Sequence, residues 1–354
     1  MLDPILNAFS NTSWTFGALT YFIIGLLLSR TSGGLGSRFM SALGWPLELI
    51  QKYRGSTGLP YLFLLPNMLI FGIFTFAPMF INMGFSVTDG QSINFDQRTY
   101  SGSDNFQRLM SETQIDTGGV NQENEKFLSA VKHTVTFVIF QVPIMVLVAL
   151  ITALVLNRDI VGRGFWRSIF FYPVMLSPVV VGFLWTLILK RQGVLSLTLM
   201  QWGIIDEPIQ WLTDPRWTMF WSVFVYTWAH LGFYMLILLA GLQAIPKDLY
   251  EAASMDGTSD WRILRKITLP LLMPTLLVVM VLALIKAFQA FEELYAMQVS
   301  WISLVAYIFE ASGLRGQPTT HGLGVAAMAS LLVALVLVCL SLLQIALSGR
   351  QNRT

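Results

Sequence analysis

The sequence predicts an all-α integral membrane protein: a six-helix core preceded by one extra N-terminal transmembrane helix. Three observations predict this. The 354 residues are 55% hydrophobic and only 12% charged, with a mean hydropathy of +0.62, whereas a soluble domain carries roughly 25% charged residues. Seven segments approach or exceed the roughly 20 mostly apolar residues that a span requires. The connections between them alternate between basic and acidic, the pattern that sorts repeated crossings of a bilayer.

The first apolar segment is about Trp14–Leu28. It follows Met1-Leu2-Asp3, which lacks the positive start of a signal peptide, and no clear small-residue cleavage site comes after it, so it reads as a retained helix. Leu35–Lys52 mixes Phe39, Leu43, Trp45, Leu47, Leu49 and Ile50 with Arg38, Glu48 and Lys52, the composition of an interfacial helix. Residues 1–58 thus form a transmembrane helix and a cytoplasmic or interfacial linker. The main domain, 59–350, holds spans at about Tyr61–Ser86, Phe127–Leu156, Phe165–Leu189, Thr218–Leu242, Leu271–Phe291 and Leu323–Leu347, and 351–354 form a tail. Pro143, Pro173, Pro178 and Pro274 either bend or break these helices or are tolerated for packing.

Lys and Arg in short loops set the orientation. Arg158, Arg163 and Arg167 lie in one connection, Lys247, Arg262, Arg265 and Lys266 in another, and Arg350 and Arg353 in the tail; these face the cytoplasm. The stretch Asp89 to Lys126 instead holds seven acids (Asp89, Asp96, Asp104, Glu112, Asp116, Glu123, Glu125) against three bases, and Glu292 and Glu293 follow the sixth segment. Those regions face outward. The linker with Arg30, Arg38, Lys52 and Arg54 then lies inside, which places the N-terminus outside and the C-terminus in the cytoplasm.

Several functions find no support in the residues. A net charge of +2, without a basic run interleaved with aromatics, gives no nucleic-acid surface. Cys339 is alone and sits in an apolar segment, so it packs and forms no intrachain disulfide. His133, His230 and His321 are scattered without carboxylates or cysteines at metal-binding spacing. No Ser or Cys sits in a nucleophile setting, so no catalytic residue is assigned. No Gly-x-x-x-x-Gly-Lys-Ser/Thr string is present to cradle phosphates, so this chain holds no nucleotide cofactor and any energy from ATP comes from another subunit.

The polar stretch 244–270 is the most informative. Pro246 suits a helix start, Glu251, Ala252, Ala253 and Met255 favour helix, and Gly257 after Asp256 suits the left-handed closing position. The adjacent alanines predict a thin side that a partner can approach closely, and Glu251 offers a carboxylate to a partner's cation. A second helix starts near Ser259, and Ile267, Leu269 and Pro270 lead into the next span. The pattern Glu-Ala-Ala, three residues, Gly, nine residues, Ile-x-Leu-Pro resembles the cytoplasmic coupling loop of ATP-binding-cassette importer permeases. From about Leu59 to Ile345 the chain resembles the carbohydrate-uptake, maltose-transporter-type members. The resemblance is carried by Asn157, Gly162-Arg163, Tyr172-Pro173, Ser177-Pro178-Val179, Trp185, Trp211-Leu212, Asp214-Pro215 and the run Leu239–Tyr250. It departs after Phe288-Gln289-Ala290-Phe291-Glu292: a Gly-Gly-Pro-rich loop is absent, and Met297–Gly313 is apolar. Val-Leu-Ser also follows Gly193 where Asn is common.

The resemblance implies the type I importer permease fold in a bacterial inner membrane, working by alternating access. It also implies a second related permease, two ATPase subunits that bind ATP and Mg, an external solute-binding protein, and a sugar, oligosaccharide or polyol as cargo. An ion-driven secondary transporter is the alternative, but midplane carboxylates and repeated half-folds are not visible. Within the spans, Tyr226, His230, Phe233 and Tyr234 share a helical face by spacing. That face either offers rings and donors to a sugar or packs against neighbours. Lys286, with Gln289 one turn on and Glu293 two turns on, either snorkels outward or forms a polar pathway.

Overall fold

A computed structural model describes residues 59–90, 92–110, 122–313 and 322–351. The Trp14–Leu28 span, the interfacial helix at Leu35–Lys52, the N-terminus, Glu112, Asp116, His321 and Arg353 lie outside the described residues. The chain divides into two compact units, Met1–Ile81 and Asn82–Thr354. In the first, α1 (Leu59–Phe71) contains Pro66 and passes through a π turn, Gly72–Phe76, into α2 (Ala77–Ser86), which ends in the second.

The second unit opens with a polar cap. Strands β1 (Thr88–Asp89) and β2 (Thr99–Tyr100) pair antiparallel, Thr88 opposite Tyr100, and α3 (Asp104–Met110) follows. Arg98 holds the turn together by donating to the carbonyls of Thr88 (3.0 Å), Gly90 (2.6 Å) and Ser92 (2.9 Å). The fully buried Asn105 donates to the Ser86 and Thr88 carbonyls, and Asn124 donates to the Leu109 carbonyl at 2.6 Å. These bonds satisfy backbone acceptors that no regular element reaches.

Helix α4 (Gln122–Asn157) runs unbroken past Pro143. The expected span Phe165–Leu189 is instead broken. An amphipathic helix α5 (Arg163–Phe171) leads to a 3-10 turn (Tyr172–Met175), then to extended Leu176 and Ser177, and α6 (Pro178–Leu189) starts afresh. Proline supplies the reason: Pro178 pushes Ser177 out of the helical region and occupies the first turn of α6. The crossing element is Pro178–Gln201, which includes α7 (Val194–Gln201). Then come α8 (Pro215–Gln243), α9 (Lys247–Met255), α10 (Asp260–Ile263), a π turn (Leu264–Thr268), α11 (Leu269–Phe288, passing Pro274), α12 (Glu292–Ala296), α13 (Leu304–Ala311) and α14 (Gly322–Gln351). Among the described residues, six helical segments are long and apolar enough to cross a membrane.

Helix α8 is the central post: 61% of its apolar window is buried, against about a third or less in the other spans of this unit. Tyr226, Tyr234, Met235, Leu238 and Leu242 pack with Phe137, Met145 and Ala149 of α4 and with Leu272, Val279 and Ala283 of α11. Close approach depends on glycine. A Cβ at Gly241 would meet Leu272 and Thr275 at 2.8–2.9 Å, and one at Gly232 would meet the Phe170 carbonyl oxygen at 2.5 Å. Buried Thr227 donates to the Val223 carbonyl at 2.7 Å and accepts from Gln141 at 3.2 Å, so the polar link between α4 and α8 is satisfied.

Candidate functional site

The loop at the end of α8 folds into the short, sharply stopped helix its sequence predicts. Pro246 caps α9, and Gly257 closes it at φ +67°. The Gly257 amide donates to the Ser254 carbonyl (3.0 Å) and the Thr258 amide to the Ala253 carbonyl (3.1 Å), the paired bonds of a Schellman cap. Glu251, Ala252, Met255, Asp256 and Gly257 are exposed, Met255 by 89%. The expected thin side made by both alanines is not formed. Ala253 is buried while Ala252 faces out, because neighbours on a helix are turned about 100° apart. The exposed surface of α9 therefore combines Glu251, Ala252 and Met255 above a rigid stop.

One contact ties α9 to the span that follows, and another ties the end of α8 to α5. The Tyr250 hydroxyl lies 3.3 Å from that of Thr268, and Ile267 and Leu269 are half-buried beside the start of α11, with Pro270 exposed. Arg163 and Arg167, a helical turn apart on α5, both donate at 2.8 Å to the Gln243 side-chain oxygen, in the amide orientation those donors require. Gln243 is the last residue of α8, so both guanidinium groups also face that helix's negative end. Arg158 and Asp260 approach to 3.6 Å but are largely exposed, so this pair adds little. That approach brings two of the three basic connections, 158–167 and 247–266, next to each other.

A second polar group sits halfway along α8. His230 Nδ1 donates to the Tyr226 carbonyl at 3.0 Å, and its Nε2 lies 3.3 Å from a Glu293 carboxyl oxygen. A carbonyl only accepts, so Nδ1 carries a proton, and Nε2 is the ring nitrogen that faces the Glu293 carboxyl group. Glu293 is 4% exposed, and the imidazole is the polar group that its carboxyl meets there. Tyr226 stacks on His230 at 4.3 Å, and its hydroxyl donates to the Lys286 carbonyl at 2.9 Å, so α8 and α11 are joined at this level.

The expected pathway residues divide. Tyr226 and Tyr234 are buried in the core, at 4% and 1% exposure, while His230 is partly open and Phe233 is exposed. The spacing that placed 233 and 234 on one face spans too wide an arc for both to share an environment. Lys286 and Gln289 are exposed. The continuous helix from Lys286 to Glu293 expected from spacing is absent: α11 ends at Phe288, Phe291 breaks the helix with φ −145° and ψ −60°, and α12 starts at Glu292. Glu293 thereby turns to His230. Gly182 permits this, since a Cβ there would lie 2.5 Å from Ala296 and 2.7 Å from the Glu293 carbonyl oxygen.

Comparison with known proteins fits this geometry. Residues 122–353 match the family model described as binding-protein-dependent transport system inner membrane component. The chain belongs to that family. This permease is 31% identical over 303 residues to the lactose transport system permease protein LacF of Rhizobium radiobacter, covering 83% of this chain and 95% of the relative. It is 29% identical over 302 residues to the arabinooligosaccharides transport system permease protein AraP of Bacillus subtilis (strain 168), covering 82% and 88%. A solved bacterial transporter that imports the acidic polysaccharide alginate superposes with a TM-score of 0.66 at 25% identity, over 82% of the permease and 95% of that chain. Its complex with a pentasaccharide-bound periplasmic protein gives 0.67 over 86% and 99%.

Sequence reasoning missed two features of the permease. The Arg163–Arg167–Gln243 junction was signalled only by the four-residue spacing of the arginines. Gly232, where the α5 backbone touches α8, was visible as an isolated glycine in a helical pattern, a mark of close approach.

Proposed function

We infer that the permease is one membrane subunit of an ATP-driven importer that carries a sugar, oligosaccharide or sugar-like polyol inward by alternating access. The carrying observation is the exposed, Schellman-capped α9 at 247–255 in a chain whose sugar-permease relatives align over most of its length. Glu251, Ala252, Met255, Asp256 and Gly257 form the surface presented to a separate ATPase, with Ala253, Ile267, Leu269 and Pro270 anchoring it to α11. Movement of α9 passes to α8 directly and to α5 through Arg163 and Arg167, so the spans around His230 shift as one body.

The solute pathway runs past His230, Phe233, Lys286 and Gln289, the exposed or partly exposed members of the expected set. Tyr226, Tyr234 and Glu293 support it from behind. The assembly comprises this permease, a second related permease, two ATPase subunits binding ATP and Mg, and an external binding protein, in a bacterial-type inner membrane. The test is uptake in proteoliposomes. With the ATPase subunits, second permease and loaded binding protein present, ATP should drive sugar accumulation. Accumulation driven by a proton or sodium gradient without ATP would overturn the proposal.

A further inference from the structure

Beyond the break that turns Glu293 inward, α12, the loop 297–303 and α13 line a half-open cavity of about 320 Å³. The segment Met297–Gly313 contains this loop and α13. It is held rigidly: Trp301 Nε1 donates to Ser222 at 3.1 Å, its ring packs 5.5 Å from Phe137, and the Leu304 amide donates to Thr134 at 2.9 Å. At the rim, Gln298, Ser300 and Glu310 are exposed, while Trp301 and Leu294 form an apolar floor. Gln298 adopts φ +53°, the sole positive φ among described residues other than glycine. Such a conformation persists where the surroundings enforce it, often beside functional sites.

These groups suit a particular chemistry. An amide, a hydroxyl and a carboxylate offer donors and acceptors to vicinal hydroxyls, and the apolar floor receives the C–H face of a sugar ring. The volume is at the low end of the range for small-molecule sites, room for about one or two rings. Among the residues lining this cavity Glu310 is the one carboxylate and Tyr295 the one phenol, with no Lys, Arg or His; Lys190 and Arg191 line a second cavity that shares Gln298. A negatively charged sugar is therefore disfavoured here.

We propose that the cavity rimmed by Gln298, Ser300 and Glu310 is an outer subsite that holds an uncharged or amino-bearing sugar before it reaches the His230 level. This rests on the reading of the permease as a sugar importer. Equilibrium dialysis of labelled lactose, an arabino-oligosaccharide and an alginate oligosaccharide against the assembled importer in nanodiscs, without binding protein, tests it. Gln298→Gly removes the amide while relieving the positive φ, so poor folding does not explain a loss. It should weaken binding of a neutral sugar about tenfold, the scale of one or two lost hydrogen bonds, and Gln298→Asn should recover part of it. Glu310→Gln should improve alginate-oligosaccharide binding severalfold. Unchanged affinities in Gln298→Gly and Glu310→Gln, with loss on altering His230, would overturn the outer subsite and leave the importer reading intact. Absence of both binding and ATP-driven uptake for every sugar would overturn both.

Discussion

Replacing Gly257 separates backbone geometry from side-chain contact. At φ +67° a residue with a Cβ costs about 1–2 kcal/mol, and abandoning the cap forfeits two hydrogen bonds worth about 0.5–1.5 kcal/mol each. No atom lies within 4 Å of the position a Cβ would take, so the penalty is conformational and the packed spans are untouched. A loss of about 1.4 kcal/mol corresponds to a tenfold fall in the capped population. Gly257→Ala should therefore reduce solute-stimulated ATPase and uptake severalfold in proteoliposomes. Gly257→Val should reduce both further, because a β-branched residue tolerates this region least, and Gly257→Asn should do least harm. Wild-type uptake and stimulation in Gly257→Val would refute the argument. Equal damage from Asn and Val would also refute it, by showing that the side chain rather than φ is responsible.

The His230–Glu293 pair should respond asymmetrically. His230→Ala strands a buried carboxyl and should lower assembly yield on the scale of about 3–5 kcal/mol, whereas Glu293→Gln keeps a donor facing Nε2 and should nearly spare yield. Adding Glu293→Gln to His230→Ala should recover yield, and failure to do so would discard the account of His230 as the partner of the buried Glu293. At Gly232 a methyl would lie 2.5 Å from a backbone oxygen, so Gly232→Ala should separate α5 from α8 at a cost of about 1–3 kcal/mol, read as a lower thermal midpoint of the purified complex; an unchanged midpoint would contradict the close approach. In a Cys339→Ser background, cysteines at Asp104 and Asn11 should react with an impermeant thiol reagent added outside cells, and one at Ser259 should not. Reaction at Ser259 would invert the topology.

Much of the fold was legible because bilayer crossing imposes length and polarity on the sequence. The positive φ of Gly257 and the stop of α9 follow from local chemistry alone, which explains why they were readable. Breaks inside apolar runs were harder. Leu176-Ser177 interrupts an apolar run in which only Pro173 and Pro178 marked a break, and Gln289–Phe291 ends α11 where helical spacing was expected to continue to Glu293. The second break depends on tertiary groups, Gly182 and His230, that lie far away in sequence. The same limit applies to facing: spacing grouped Phe233 with Tyr234, but packing against α4 and α11 buries one and exposes the other. Gln298 carries no sequence signal for its φ, since the surrounding loop enforces it.

The central claim is that α9 is the surface on which an ATPase subunit acts. Cys339 is the chain's single cysteine, so Cys339→Ser with Met255→Cys places one thiol at a position 89% exposed in the isolated subunit. In the assembled importer, a short thiol-to-amine crosslinker should join Met255→Cys to the ATPase subunit and block ATP-driven uptake, and assembly should slow alkylation of that thiol. Alkylation at the same rate with and without the ATPase, together with no crosslink, would contradict the account.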